Sequence, residues 1–341
     1  MTSTIGDVAA RARVSTATVS RVLSGTGGAR PATRERVEEA ARVLGYRPSG
    51  VARSLKLRTT RTYGLIVTDI ENPFFPQLVR AVEDAARADG YAILLCNAAD
   101  DPDREGAYLD LLVDRRVDGV IIAASSLGGR HLEWLAAAPL PVVLVNCSAP
   151  GVRLPSIASD NVAGGRLAAE HLLSLGHRRI GALTAPPRNA DAPDRLRGFR
   201  AGLEGAGLDP AAVPVASGDA GVAGGERAMR ELLDAAPGTT GVVAYNDLMA
   251  IGAMRAVRAN GRLVPEDVSV VGFDDVDLAA FVDPPLTTIA QSTADMGRWA
   301  VARLADAVSS NGNGASPGAP IAEVILPVRL VVRGSTARPA G

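Results

Sequence analysis

From Thr62 onward, short apolar runs alternate with helix-patterned stretches, and this rhythm restricts the fold more than any other feature of the chain. Tyr63–Thr68, Tyr91–Asn97, Gly119–Ala124, Pro141–Asn146, Arg179–Thr184, Gly241–Tyr245 and Val268–Phe273 read as strands. Strands apolar on both faces and separated by helices predict parallel sheets covered on both sides. About 280 residues exceeds what one such unit holds, so two lobes are expected. The first crossover is expected near Ser159–Asn161 and the return near Thr287–Ser292. That division gives lobe 1 as roughly 62–159 and 290–336, lobe 2 as roughly 160–289, and 337–341 as a tail. A last strand region, Glu323–Val332, should rejoin lobe 1, and Asn311–Pro320, rich in Gly, Ala, Pro and Asn, reads as a loop.

Ligands of such sheets sit beyond the carboxyl ends of the strands. Asp69, Asn72, Phe74 and Phe75 follow the first strand, and Asp160 lies at the first crossover. Arg195 begins a later helical stretch, while Asn246–Asp247 and Asp274–Asp275 follow two later strands. Carboxylates and amides there suit a hydroxyl-rich ligand, and an aromatic face suits a sugar ring or a base. Structural readings compete with these. Phe74 and Phe75 could pack at a helix start, Asp247 could cap the helix opening at Leu248, and Asp275 could cap or turn the chain.

The amino-terminal segment is of another kind. Ile5, Val8, Ala9 and Ala12 fall at helical spacing, and Val14, Val19, Val22 and Leu23 supply a facing apolar surface. Ser15 suits the N-cap of a second helix. Two short helices joined by a tight turn leave Thr16, Ala17, Ser20 and Arg21 on an exposed face. In a helix-turn-helix that face enters the DNA major groove. Arg21 can hold guanine bidentately, Thr16 can bond a base or touch a thymine methyl, and Ala17 offers apolar contact. Thr18 and Ser20 read as phosphate anchors. Charge favours this over a plain helical packing unit. Residues 1–61 hold 12 bases and 4 acids, a net +8, leaving 24 bases and 33 acids, a net −9, in the rest. The near-neutral total of −1 therefore conceals a basic head on an acidic body, the footprint of phosphate binding.

Pro31 suits a helix start, Val37, Ala40, Ala41 and Leu44 form one stripe, and Gly45 suits the helix end, completing an all-α domain over 1–46. Residues 47–61 follow as hinge and linker, with Val51, Ala52 and Leu55 on one face of a short helix. Two turns of helix are unstable alone in water, so this helix should order only when paired. Leu55 between Arg53 and Lys56 fits a minor-groove wedge, and a plain basic linker fits as well.

The start Thr4-Ile5-Gly6-Asp7-Val8-Ala9, the run Val14-Ser15 to Val22-Leu23, and Leu44-Gly45-Tyr46 through Ala52-Arg53-Ser54-Leu55 resemble the LacI–GalR family of bacterial transcription regulators. The resemblance continues to about Thr336. It implies a periplasmic-binding-protein-like two-lobed α/β core and a homodimer on a pseudo-palindromic operator in double-stranded DNA. It also implies Thr4 among the DNA-contacting residues, Thr16, Ala17 and Arg21 as base readers, and Leu55 as the intercalating hinge residue. In the body it implies Phe74 and Phe75 on the effector wall, Arg195 as an effector-contacting arginine, and Asn246 and Asp274 as the amide and carboxylate gripping the ligand. Asn189 and Asp191 fall at two further pocket positions. Ala220 stands where several members carry a stacking aromatic, which favours a sugar or sugar derivative over a flat purine. Two departures are visible. Arg13 occupies a turn position that often holds Gly, and Gly50 lies early in the hinge, which should make the hinge more disordered off DNA.

The chain shows no signal peptide and no apolar run long enough to span a bilayer, so a cytoplasmic protein is expected, without a membrane partner. A periplasmic carbohydrate-binding protein would share the body but lack the basic head. A sugar-metabolising enzyme is disfavoured too. Asp69-Ile70-Glu71-Asn72-Pro73 stands where a glycine-rich nucleotide loop would follow the first strand, and no nucleophile has an evident base partner. His131, His171 and His177 lack metal-ligand spacing, and Cys96 and Cys147 read as buried thiols. No metal and no cofactor are expected. The absence of a heptad segment after Val332 points to a dimer without a coiled-coil tetramer.

Overall fold

The computed structural model describes residues 3–24, 29–46, 59–124, 128–186, 189–311 and 323–340. The hinge positions Gly50, Arg53, Leu55 and Lys56, and most of the expected loop over Asn311–Pro320, lie outside them. The chain divides into two units, 1–61 and 62–341.

The first unit packs three helices, α1 (Ile5–Ala12), α2 (Thr16–Ser24) and α3 (Pro31–Val43). Thr4 and Asp7 form a reciprocal capping box at the start of α1, with Thr4 N donating to Asp7 Oδ2 at 2.7 Å. Arg13 ends α1 in the left-handed region at φ 55°, the conformation the Gly-to-Arg departure made costly. Ser15 Oγ then accepts the Thr18 N–H at 3.2 Å and opens α2. Pro31 stands in the first turn of α3, and Gly45 follows that helix at φ 59°. Val8, Val19 and Val37, one from each helix, are fully buried together and close the small core.

The second unit contains twelve described strands. In lobe 1 they are β1 (Thr62–Val67), β2 (Ala92–Asn97), β3 (Gly119–Ala123), β4 (Val142–Val145) and β5 (Ser156–Ser159). Lobe 2 follows with β6 (Ile180–Thr184), β7 (Val215–Ser217), β8 (Gly241–Ala244), β9 (Ser269–Asp274) and β10 (Thr287–Ala290). The last two are β11 (Glu323–Leu326) and β12 (Arg329–Val331). One sheet runs β11-β5-β4-β3-β1-β2, all parallel, and the other β12-β10-β9-β8-β6-β7, parallel except for β12. Both reverse direction of growth beside their first strand, which opens a crevice at the carboxyl ends.

Helices cover both faces of each sheet because successive strand residues are apolar on both sides. In lobe 1, Leu65, Ile121 and Val143 pack under the helices Phe74–Ala88 and Thr293–Asn311, while Ile66, Ile122 and Leu144 pack under Pro102–Asp114. In lobe 2, Ala182, Val243 and Val271 face Asn161–Ser174 and Ala192–Gly205, while Leu183, Val242 and Val270 face Val222–Ala235 and Asp247–Ala259. Burying one such Leu or Ile contributes roughly 1.5–3 kcal/mol.

The carboxyl-terminal region differs from expectation. The segment Glu323–Val332 is not one strand of lobe 1. β11 pairs with β5 in lobe 1, whereas β12 pairs antiparallel with β10 in lobe 2. The chain thus passes between the lobes three times, near Asp160, Gln291 and Pro327. Residues beyond β12 also belong to lobe 2. Ser335 is fully buried, its Oγ donating to Val270 O at 2.6 Å and accepting the Thr287 N–H at 2.8 Å. Ala337, expected in the tail, bonds Ser269 Oγ through its N–H at 3.0 Å and His177 Nε2 through its carbonyl at 2.9 Å. Polar groups buried under lobe 2 need these partners, which places the segment there.

Candidate functional site

In the first unit, Ser15, Thr16, Ala17 and Arg21 are exposed, and Thr18 and Ser20 half-buried, so α2 presents one polar face. The Thr4 and Ser15 hydroxyls are engaged in helix caps, and Thr18 Oγ1 lies 3.0 Å from Ser15 Oγ. These three residues fix the starts of α1 and α2. Arg21 extends from the last turn of α2, with its Nε 3.4 Å from Ala17 O. The hinge residues expected to contact DNA, Arg53, Leu55 and Lys56, fall outside the described residues.

In the second unit, the loops after β1, β2, β3 and β4 and those after β6, β7, β8, β9 and β10 line one cleft of about 120 Å³. Five lining residues turn sharply as the strands end, with positive φ at Asp100 (55°), Ala124 (57°), Asn146 (50°), Ala220 (70°) and Asp274 (116°). Left-handed non-glycine residues cost about 1–3 kcal/mol each and concentrate where a ligand is clamped.

At the lobe 2 wall Arg195 is buried among its partners. Nε donates to Asn161 Oδ1 at 2.9 Å, Nη1 to Tyr245 O at 2.7 Å, and Nη2 to Asp191. Its guanidinium lies 3.7 Å from the Phe273 ring centre and its Nη1 3.6 Å from Asp274 Oδ1. Burial opposes its charge, but Asp191 and Asp274 outweigh burial and raise its pKa. Tyr245 Oη donates to Asp191 Oδ1 at 2.6 Å, and burial followed by the Asp191 charge raises the phenol pKa. Burial lifts the Asp274 carboxyl to about 7 against the pull of Arg195. The backbone of Arg195 is fixed by two glycines: a Cβ on Gly198 would overlap the Val162 carbonyl, and one on Gly165 the Arg195 carbonyl. The helices Asn161–Ser174 and Ala192–Gly205 can therefore cross in close contact.

Phe74, Phe75, Asn189, Asp191, Arg195, Asn246 and Asp274 all line the cleft. Phe74 and Phe75 also satisfy the packing reading: both are buried in the lobe 1 core, edge to face at 5.3 Å between ring centres. Asp160 does not line the cleft; it caps the helix Asn161–Ser174, accepting the Ala163 N–H at 2.8 Å. The neighbouring Asn161 holds Arg195 instead. Asn246 reaches the wall but also caps the next helix through Met249 N at 2.9 Å and donates to Ala220 O at 2.9 Å. That displaces Asp247 from the capping role. Asp247 is buried against Thr288 Oγ1 at 2.5 Å and Val276 N at 2.9 Å, and burial, then Asp274, raises its pKa. Asp275 turns the chain at φ 57° and pairs with Arg333 at 2.6 Å.

Sequence reasoning missed Gln291. It stands at the second crossover, where Oε1 accepts from Asn146 Nδ2 at 3.1 Å and Ser159 Oγ at 2.6 Å in lobe 1. Its Nε2 donates to Asp274 Oδ1 at 2.7 Å in lobe 2. One amide on the cleft floor thus joins the two lobes. Tyr245 and Asn146, also missed, carry the available signal of a polar or aromatic residue following a strand.

A DNA-reading three-helix head and a cleft between two parallel-sheet lobes define an effector-responsive regulator. Residues 4–49 match the family described as bacterial regulatory proteins, lacI family, and residues 169–336 match a periplasmic binding protein-like domain. The chain is 37% identical to the HTH-type transcriptional repressor CytR of Escherichia coli (strain K12), covering 98% of this chain and 96% of the relative. It is 40% identical to the ribose operon repressor of Halalkalibacterium halodurans, over 86% and 87% of the two chains. The lac repressor dimer bound to operator and the anti-inducer ONPF superposes with a TM-score of 0.87 at 30% identity, over 99% of this chain and 100% of that one. The chain belongs to the LacI family of bacterial transcription regulators. Its relatives are named as transcriptional repressors, a non-enzymatic class.

Proposed function

We propose that this protein is a cytoplasmic repressor that binds a pseudo-palindromic operator as a homodimer and responds to a sugar or sugar derivative in its cleft. Thr16, Ala17 and Arg21 read base edges, while Thr4, Ser15, Thr18, Ser20, Arg53 and Lys56 position the head and hinge on phosphates. Leu55 enters the minor groove between paired hinges. Among the described residues no helix is long and apolar enough to cross a membrane.

The observation that carries the effector half is the Gln291 bridge. A hydroxyl that binds Asp274 competes for the carboxylate that Gln291 holds, and Gln291 in turn holds Asn146 and Ser159 across the lobe boundary. Ligand binding is thereby expressed as a change in lobe closure. A coupling of about 1–3 kcal/mol changes DNA affinity roughly 5- to 150-fold. The test is a thermal-shift screen of neutral carbohydrates, followed by operator titration with each sugar that shifts the melting temperature. A sugar that both stabilises the protein and alters operator affinity supports the reading. A sugar that stabilises it and leaves operator affinity unchanged removes the regulatory link.

A further inference from the structure

Resting on the carbohydrate reading, the charge and hydrogen-bonding state of the cleft narrow the ligand further. The wall carries five carboxylates, Asp69, Asp100, Asp191, Asp219 and Asp274; among the described residues its one lining arginine, Arg195, pairs with Asp191, and Arg227 behind the wall lies 3.5 Å from Asp219. Arg195 is turned inward, with three of its five N–H donors given to Asn161, Tyr245 and Asp191. Arg188 lies outside the described residues.

At three turns of the cleft a backbone N–H of the kind that elsewhere cradles a phosphate is held by a side chain. Asn72 Oδ1 accepts the Phe74 N–H at 3.1 Å, Asp219 Oδ1 the Gly221 N–H at 3.0 Å, and Asn246 Oδ1 the Met249 N–H at 2.9 Å. Each sits where a helix or turn begins after a strand, the position from which anions are otherwise held. Asn189 Oδ1, meanwhile, is a buried acceptor without a hydrogen-bond partner among the described residues. It needs a donor, which a ligand hydroxyl supplies.

We infer that the cleft takes a free, uncharged sugar and turns away the phosphate ester and the carboxylic acid of that sugar. A phosphorylation that consumes the free sugar would then end the signal, and a glycoside hydrolysis that releases it would start it.

Isothermal titration of the full chain with matched pentose and hexose sets decides this, each set holding the neutral sugar, its terminal phosphate and its uronic or aldonic acid. The expected result is binding of a neutral member with its charged partners at least about 100-fold weaker. The repulsion is electrostatic, so Asp69→Asn combined with Asp219→Asn should narrow that ratio at least about tenfold. A phosphate or acid that binds as tightly as its neutral parent overturns the charge selection and leaves the carbohydrate reading standing. If no sugar of any charge binds, the carbohydrate reading falls, and this inference falls with it.

Discussion

At the scale of single residues, Asp274 is the most consequential group. Its carboxyl titrates near 7 in the folded chain against an ordinary value of 3.8. A carboxyl raised in this way favours the folded state most below about pH 4, and that contribution is lost as pH rises through about 7. Asp274→Asn removes a buried charge present at high pH and absent at low pH. The variant's melting temperature should therefore gain on the parent's between pH 5 and pH 8, read by scanning fluorimetry; a gap that is constant across that range would rule out the buried charge. On the head, Arg21→Ala should relax base preference at one position in each half-site, a loss of about 1–3 kcal/mol of discrimination. Selection from a randomised operator library measures it, and an unaltered preference would remove Arg21 from base reading. The wall position of Asp274 was legible in the sequence because it follows an apolar strand, and that of Arg195 because it falls at an arginine position of the family the chain resembles. Asp160, expected on the cleft wall, stands as a helix cap, and a carboxylate before a helix looks the same in sequence whether it caps or binds. Gln291 was invisible, since its partners Asn146 and Ser159 lie 145 and 132 residues away in sequence.

Among elements, the helix pair Asn161–Ser174 and Ala192–Gly205 sets the position of Arg195. Gly198→Ala would force those helices apart, at a cost of about 1–3 kcal/mol. Chemical denaturation should show that loss together with weaker effector binding; full stability would mean the crossing is looser than the geometry requires. The segment between β10 and the helix Thr293–Asn311 has a different duty, because Gln291 spans the lobes there. Gln291→Leu should keep operator binding in the absence of ligand and blunt the change that ligand produces. Operator titration with and without a saturating sugar tests this, and a normal response would show that the bridge does not transmit. Central strands such as β3 and β8 could be read from sequence because every residue in them is buried. The strand β7 was missed and β12 assigned to the wrong lobe because both are three-residue, half-exposed edges, whereas β11 joins lobe 1 as expected. Nothing local distinguishes β11 from β12, so their assignment to opposite lobes depends on pairing partners far away in sequence.

For the whole molecule, a division into a +8 head and a −9 body was visible from charge alone, because phosphate binding and solubility ask opposite things of the two parts. The triple crossing between lobes was not visible, since the third passage is made by a few residues around Pro327. With Ser335 and Ala337 anchored under β9 and β10, the end of the chain closes lobe 2 rather than lobe 1. Effector control then reduces to whether a ligand held at Asp274 and Arg195 alters how tightly the head grips DNA. Fluorescence anisotropy on a labelled operator, recorded across a salt series with and without the sugar found by thermal shift, measures this directly. Affinity should fall steeply and linearly in log salt, and the sugar should displace the whole line by roughly 5- to 150-fold. Binding that ignores salt, or two lines that coincide, would contradict a basic DNA-reading head governed by the cleft.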